Sequence, residues 1–198
     1  KYYAANLANA YTLAASLIAA PYSVSAALVH VEQISTGNKY VNDLIAPAAP
    51  QTGTYTLSVN AAITYAAPGK TVFIEDGAYS ERVVVTKSIT LDGQSKAGTL
   101  LDGTGLAGAG SGIALDPGIT NVTIKDLTVR DFTGTNANST AGVYAASGNN
   151  NLTVQNVDIA DNPLCSGFYA NGPVDMILLD DVKSHGHVNG ARGVVIDA

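Results

Sequence analysis

Alternation of apolar and polar residues organises the second half of the chain. "NVTIKDLTVRDF" (121–132) places apolar side chains at Val122, Ile124, Leu127 and Val129. "NLTVQNVDIADN" (151–162) repeats them at Leu152, Val154, Val157 and Ile159, and "MILLDDVKSHGH" (176–187) at Ile177, Leu179 and Val182. A period of two predicts strands with one buried side. Between these segments "SGIALD", "AGVYAA", "SGFYAN" and "RGVVID" align on Gly112, Gly142, Gly167 and Gly193. Such a repeat cannot bury its apolar side alone; stacked copies can, each strand pairing with the same strand of the next copy. Asp126, Asn156 and Asp181 then form one column at a tight turn, because Asn and Asp tolerate a left-handed backbone.

Upstream, "VNAAITYAAPG" predicts a short helix around Val59–Ala66 ended by Pro68-Gly69. Strands follow near Thr71–Ile74, Arg82–Val85 and Ser88–Leu91. Residues 1–50 differ. "YAANLANAYTLAASLIAA" has helical spacing up to Pro21, and "SVSAALVHVEQIS" (23–35) alternates enough for a strand. This divides the chain into an apolar extension (1–50) and a repeat domain (51–198). Val194, Val195 and Ile196 in the final "GARGVVIDA" begin another aligned rung. Together with Val24, Leu28 and Val31 they are the expected interface residues, the extension of one subunit adding a strand to the open end of the next.

Composition narrows the classes. Of 198 residues only 13% are charged and the net charge is −6, with no basic patch, which argues against nucleic-acid binding. Apolar residues make up 46%, but none of their runs is long enough for a membrane span. This Ala-, Gly-, Asn- and Thr-rich make-up suits a secreted, extracellular or cell-surface β protein. Cys165 is the single cysteine, so no intrachain disulfide forms, and its apolar context predicts a structural thiol.

The segment from Gly53 to Gly93, with "VNAAITYAAPG", "KTVFIEDGAYSERVVV" and "KSITLDG", resembles the opening of proteins of the pectate-lyase-like superfamily. The resemblance spans roughly residues 53–198. It implies an all-β fold: a right-handed parallel β-helix (solenoid) with an N-terminal capping helix, here preceded by the apolar extension. It does not imply one activity, since that fold carries lyases, hydrolases, esterases and non-enzymatic surface proteins.

Candidate chemistry is sparse. "DDVKSHGH" brings together Asp180, Asp181, His185 and His187, similar to the paired aspartates and Gly-His-Gly segment of polygalacturonases but in a different order. Asp181 is already explained by its turn column, and the two histidines lack an evident third metal ligand. Gly77, Tyr79 and Glu81 match the "G-x-Y-x-E" opening of pectin methylesterases, whose later aspartate and arginine motifs have no counterpart. Pectate lyases need calcium-binding carboxylates and an Arg or Lys base. Arg130, Asp131, Asp161 and His185 occupy adjacent aligned positions and would share one side, making Asp131 and Asp161 the calcium candidates. No other cofactor is implied. "GTGLAG" (103–108) fits a phosphate-binding pattern, but a strand follows it instead of a helix. Asn121, Asn138 and Asn151 open glycosylation-type triplets that an Asn- and Thr-rich chain produces by chance.

Two functions follow as expectations. The first is a non-enzymatic structural or adhesive module that self-associates into head-to-tail filaments. It is favoured by the scarcity of catalytic residue types and the low number of rungs. The alternative is an enzyme acting on acidic polysaccharide, or a fragment of one.

Overall fold

A computed structural model describes residues 28–31, 55–56, 58–136 and 139–197. The predicted helix before Pro21, Val24 and all of the extension except Leu28–Val31 lie outside them. The strands are β1 (Leu28–Val31), β2 (Tyr55–Thr56), β3 (Lys70–Ile74), β4 (Gly77–Tyr79), β5 (Val83–Val85), β6 (Ile89–Gly93), β7 (Thr99–Asp102), β8 (Ile113–Leu115), β9 (Thr120–Arg130), β10 (Ala141–Ala145), β11 (Asn150–Ala160), β12 (Ser166–Asn171), β13 (Asp175–His185) and β14 (Val194–Asp197). Among the described residues one helix, α1 (Val59–Tyr65), lies between β2 and β3.

Every ladder is parallel. The chain is a parallel β-helix, as its repeats predict. Val157 pairs with Leu127 on one side and Val182 on the other. Asp126, Asn156 and Asp181 all take positive φ, at 58°, 51° and 49°. There the alternation slips by one residue, so β9, β11 and β13 bend into two limbs while keeping apolar side chains inward. β6 stacks on the first limb of β9 (Thr90↔Thr123) and β7 on the second (Leu100↔Thr128). Strands β5, β8, β10, β12 and β14 form the third wall.

The core fills the space between these walls. Val122, Ile124, Leu127, Val129, Leu152, Val154, Val157 and Ile159 are all fully buried or nearly so. Burying one such side chain contributes roughly 1.5–3 kcal/mol. At the bends the polar side chains also stack. Asn156 Nδ2 donates to Asp126 Oδ1 at 2.6 Å, and at the start of the same strands Asn151 Nδ2 donates to Asn121 Oδ1 at 2.7 Å. Asn121 and Asn151 are therefore ladder residues; Asn138 lies outside the described residues.

Helix α1 covers the first rungs with Val59, Ala62, Ile63 and Ala66. Ser58 caps it locally, and residues more than twenty positions away secure both ends. Glu81 accepts from Val59 N at 2.6 Å, Asn60 N at 3.2 Å, Asn60 Nδ2 at 2.7 Å and Ser58 Oγ at 2.9 Å. Lys87 Nζ donates to the carbonyls of Thr64 and Ala66, both at 3.1 Å. An acid at the N-terminus and a base at the C-terminus complement the helix dipole and its orphan backbone groups. The "G-x-Y-x-E" segment is thereby structural: Glu81 holds the helix, and Tyr79 is buried with its hydroxyl on the carbonyl of Glu75.

Leu28–Val31 pairs with β3 of its own chain (Leu28↔Thr71 through Val31↔Ile74). Val194, Val195 and Ile196 lie at the opposite end, where β14 pairs with β12. Met176, Leu178, Val188, Val194 and Ile196 are exposed there, although Val194 and Ile196 share columns with fully buried Phe168 and Ala170.

Candidate functional site

The second limb carries outward-facing polar side chains in register. Asp102, Arg130, Ala160 and His185 form one column. Beside it run Leu100, Thr128, Asp158 and Lys183. Just past the limb, Asp131, Asp161 and Gly186 stack in the left-handed region at φ 60°, 53° and 71°. Their backbones are tied by Asp131 N to Ala160 O and Asp161 N to His185 O. The four residues aligned by sequence, Arg130, Asp131, Asp161 and His185, thus share one strip, which also gains Asp102 and Asp158.

Arg130 is the hub. Its Nη2 and Nε bond the same Asp102 oxygen at 2.7 and 3.1 Å, and its Nε lies 3.6 Å from Asp131 Oδ2. Asp102 is largely buried and also accepts from Thr104 N at 2.8 Å. Burial pushes its carboxyl up, but the hydrogen bonds from Thr104 and Arg130 outweigh that, and its pKa falls below the ordinary aspartate value. Asp131 moves the other way. Partial burial, with the negative charges of Asp102 and Asp161, raises its pKa against the pull of Arg130. Asp161 is exposed. His185 Nε2 sits 2.9 Å from Asp158 Oδ1.

The "DDVKSHGH" residues separate. Asp180 lies on the first limb and accepts from Gln155 Nε2 at 2.9 Å. Asp181 occupies the bend and pairs with Lys96 at 3.0 Å. His185 belongs to the second-limb strip, whereas His187 contacts Asn162 N and Ser184 Oγ. Each is engaged by a different partner.

Among the described residues no three His, Cys, Asp or Glu side chains form a metal-holding group. Asp131 and Asp161 are neighbours, but Arg130 already supplies the positive charge beside Asp131, and two carboxylates fall short of the six to eight oxygens calcium takes. "GTGLAG" is a loop with Gly105 and Gly108 at φ 75°, followed by β8. Cys165 is buried, and burial raises its thiol pKa, so it is a structural thiol. Asp102 and Asp158 escaped the sequence reading. A signal for Asp102 was present: "LLDG" (100–103) aligns with "TVRD" (128–131), which sets Asp102 beside Arg130.

No family model matches the chain, and neither does any curated protein. Among solved structures it is similar to a pectin methylesterase in complex with hexasaccharide VII, at 18% identity and a TM-score of 0.46, covering 65% of this chain and 51% of that one. It is also similar to a mutant pectin methylesterase in complex with hexasaccharide IV, at 17% identity and a TM-score of 0.44, covering 63% and 46%. The chain spans about half the length of these proteins.

Proposed function

We propose that the chain is a polysaccharide-acting β-helix module whose chemistry lies on the Asp102, Arg130, Asp131, Asp158, Asp161 and His185 strip. The observation that carries this reading is the register that stacks Asp131 and Asp161 on successive rungs, with Arg130 bridging Asp131 to the largely buried Asp102. Two neighbouring carboxyl groups, one of them with a raised pKa, are the equipment of acid–base cleavage of a glycosidic bond. Asp131 gives its proton to the leaving glycosidic oxygen. Exposed Asp161 takes a proton from the water that attacks the anomeric carbon. Asp102 orients Arg130, which stabilises the negative charge left on Asp131. Ladder register repeats contacts along the solenoid axis, which suits a polymer. Reducing-end release from a panel of neutral and acidic polysaccharides tests the reading. Cleavage should fall at least about a hundredfold in Asp131→Asn and Asp161→Asn. No cleavage of any substrate by the wild type, or full activity in both variants, overturns it.

A second reading, a secreted or surface structural module that self-associates, is favoured by the exposure of Val194 and Ile196 on β14. In it Val194, Val195 and Ile196 meet Val24, Leu28 and Val31 of another copy, and the Leu28–Val31 strand must leave its own β3 to do so. Sedimentation of the full chain and of a variant lacking residues 1–45 tests it: assembly by the full chain alone supports it, and equal behaviour of the two sinks it.

A further inference from the structure

His187 lies in the turn after β13, beside Gly167. A β-carbon at residue 167 would come within 2.7 Å of His187 Nε2, so only glycine leaves room for the imidazole. Two hydrogen bonds hold the ring. The backbone N–H of Asn162 points at Nδ1 from 3.3 Å, and Nε2 lies 3.0 Å from Ser184 Oγ. A backbone N–H can only donate, so Nδ1 carries the lone pair and the neutral ring bears its proton on Nε2. Nε2–H then donates to Ser184 Oγ, and the Ser184 hydroxyl donates to the carbonyl of Gly193 at 2.8 Å. One irreversible donor therefore fixes the direction of the whole chain. The same direction rules out Ser184 as a nucleophile activated by His187, because the imidazole has no lone pair facing the hydroxyl.

The two ends of this chain differ in anchorage. Asn162 is fully buried, and its side chain bonds Phe132 N at 2.9 Å and Val129 O at 3.3 Å. Gly193 leads directly into β14 and accepts from Phe168 N at 2.9 Å; Gly167 N reaches Arg192 O at 2.7 Å. His187 thus links a fixed rung to residues 188–193, which are largely exposed.

We propose that His187 in its neutral Nε2–H form is a latch that fastens the 186–193 turn and β14 to the rest of the solenoid, and that acid releases it. A protonated ring presents N–H groups at both nitrogens. Nδ1–H then faces Asn162 N–H, donor against donor, and the ring must leave or the buried amide loses its partner. Rotating the ring offers no escape, since both nitrogens donate. Burial lowers the His187 pKa, and the neighbouring His185 lowers it further, against an opposing contribution from Asp161. Asp158 pairs with His185 on the adjacent rung, and Arg192 follows His187 along the same turn. A histidine with a folded pKa below its unfolded value contributes stability above the unfolded value, and that stability is lost as pH falls through the lowered folded one. Gly186 packs on the Asp161 carboxylate, so release also uncovers one end of the candidate site.

Hydrogen exchange of the full chain between pH 8 and 4, corrected for intrinsic rates, tests this. Protection of the Leu164, Gly167, Phe168 and Gly172 amides should fall by about tenfold or more in acid while the β9–β11 ladder keeps its own. The fall should follow the ¹⁵N titration of His187. His187→Gln accepts and donates as the neutral ring does but cannot be protonated, so it should abolish the step while matching wild-type protection at pH 8. His185→Gln removes a like charge and should move the step to higher pH. The same acid step in His187→Gln, or ¹⁵N shifts placing the neutral proton on Nδ1, overturns the latch.

Discussion

Replacing Glu81 by alanine should open the N-terminal cap without touching the core. The carboxylate accepts from two backbone N–H groups and two side-chain donors at the start of α1. Hydrogen bonds to a charged group contribute roughly 1.5–3 kcal/mol each, and exposure at the helix start lets water recover about half of that. Allowing for non-additivity among bonds that share one acceptor, the loss comes to about 3 kcal/mol. Glu81→Gln keeps the shape and one good acceptor oxygen but gives up the charge, and should lose about 1 kcal/mol. The assay is hydrogen exchange of the α1 amides alongside urea unfolding. A loss of about 3 kcal/mol appears as a drop of about a hundredfold in helix protection. The apolar side of α1 remains packed in both variants, so the β9–β11 ladder should stay protected. Should Glu81→Ala and wild type agree within about 0.5 kcal/mol, Ser58 and solvent suffice as the cap, and the distant carboxylate is dispensable.

Val157→Asp buries an unpaired charge between Leu127 and Val182 and should cost more than about 4 kcal/mol, checked by urea melts; a folded, near-wild-type variant would contradict the stacked-column reading. Asn156→Asp keeps a residue that tolerates φ 51° but replaces the donor to Asp126, stacking three carboxylates. It should lose about 1–2 kcal/mol at pH 7 in urea melts, and added salt should narrow the gap by screening the stacked charges. Asp102, whose folded pKa is lowered, contributes stability above its unfolded value and loses it as pH falls through the folded one. Asp102→Asn should therefore be less stable than wild type at pH 7, and urea melts should show the gap closing as pH falls through the lowered folded value; a gap that stays constant in acid would show that packing, not charge, is what the substitution disturbs.

Sequence alone determined the columns. In-register parallel stacking gives every rung the same surroundings, so Leu127 and Val157 recur at one position for one physical reason, and Asp126, Asn156 and Asp181 recur at the bend because each rung needs a left-handed residue there. It also placed Arg130, Asp131, Asp161 and His185 on one strip, since register is all that such a placement requires. Tertiary structure decided what has no period. Glu81 reaches α1 across more than twenty residues, and no local pattern records a contact made once. Asp102 met Arg130 because β7, reached through an irregular loop, stacks on the second limb of β9. Alignment on the later repeats alone did not show that pairing. The "DDVKSHGH" residues looked like one cluster because they are close in sequence, yet Asp180 and His185 lie on different limbs of β13. The bend at Asp181 turns the backbone between them, and adjacency along a strand says nothing about the direction in which a side chain leaves it.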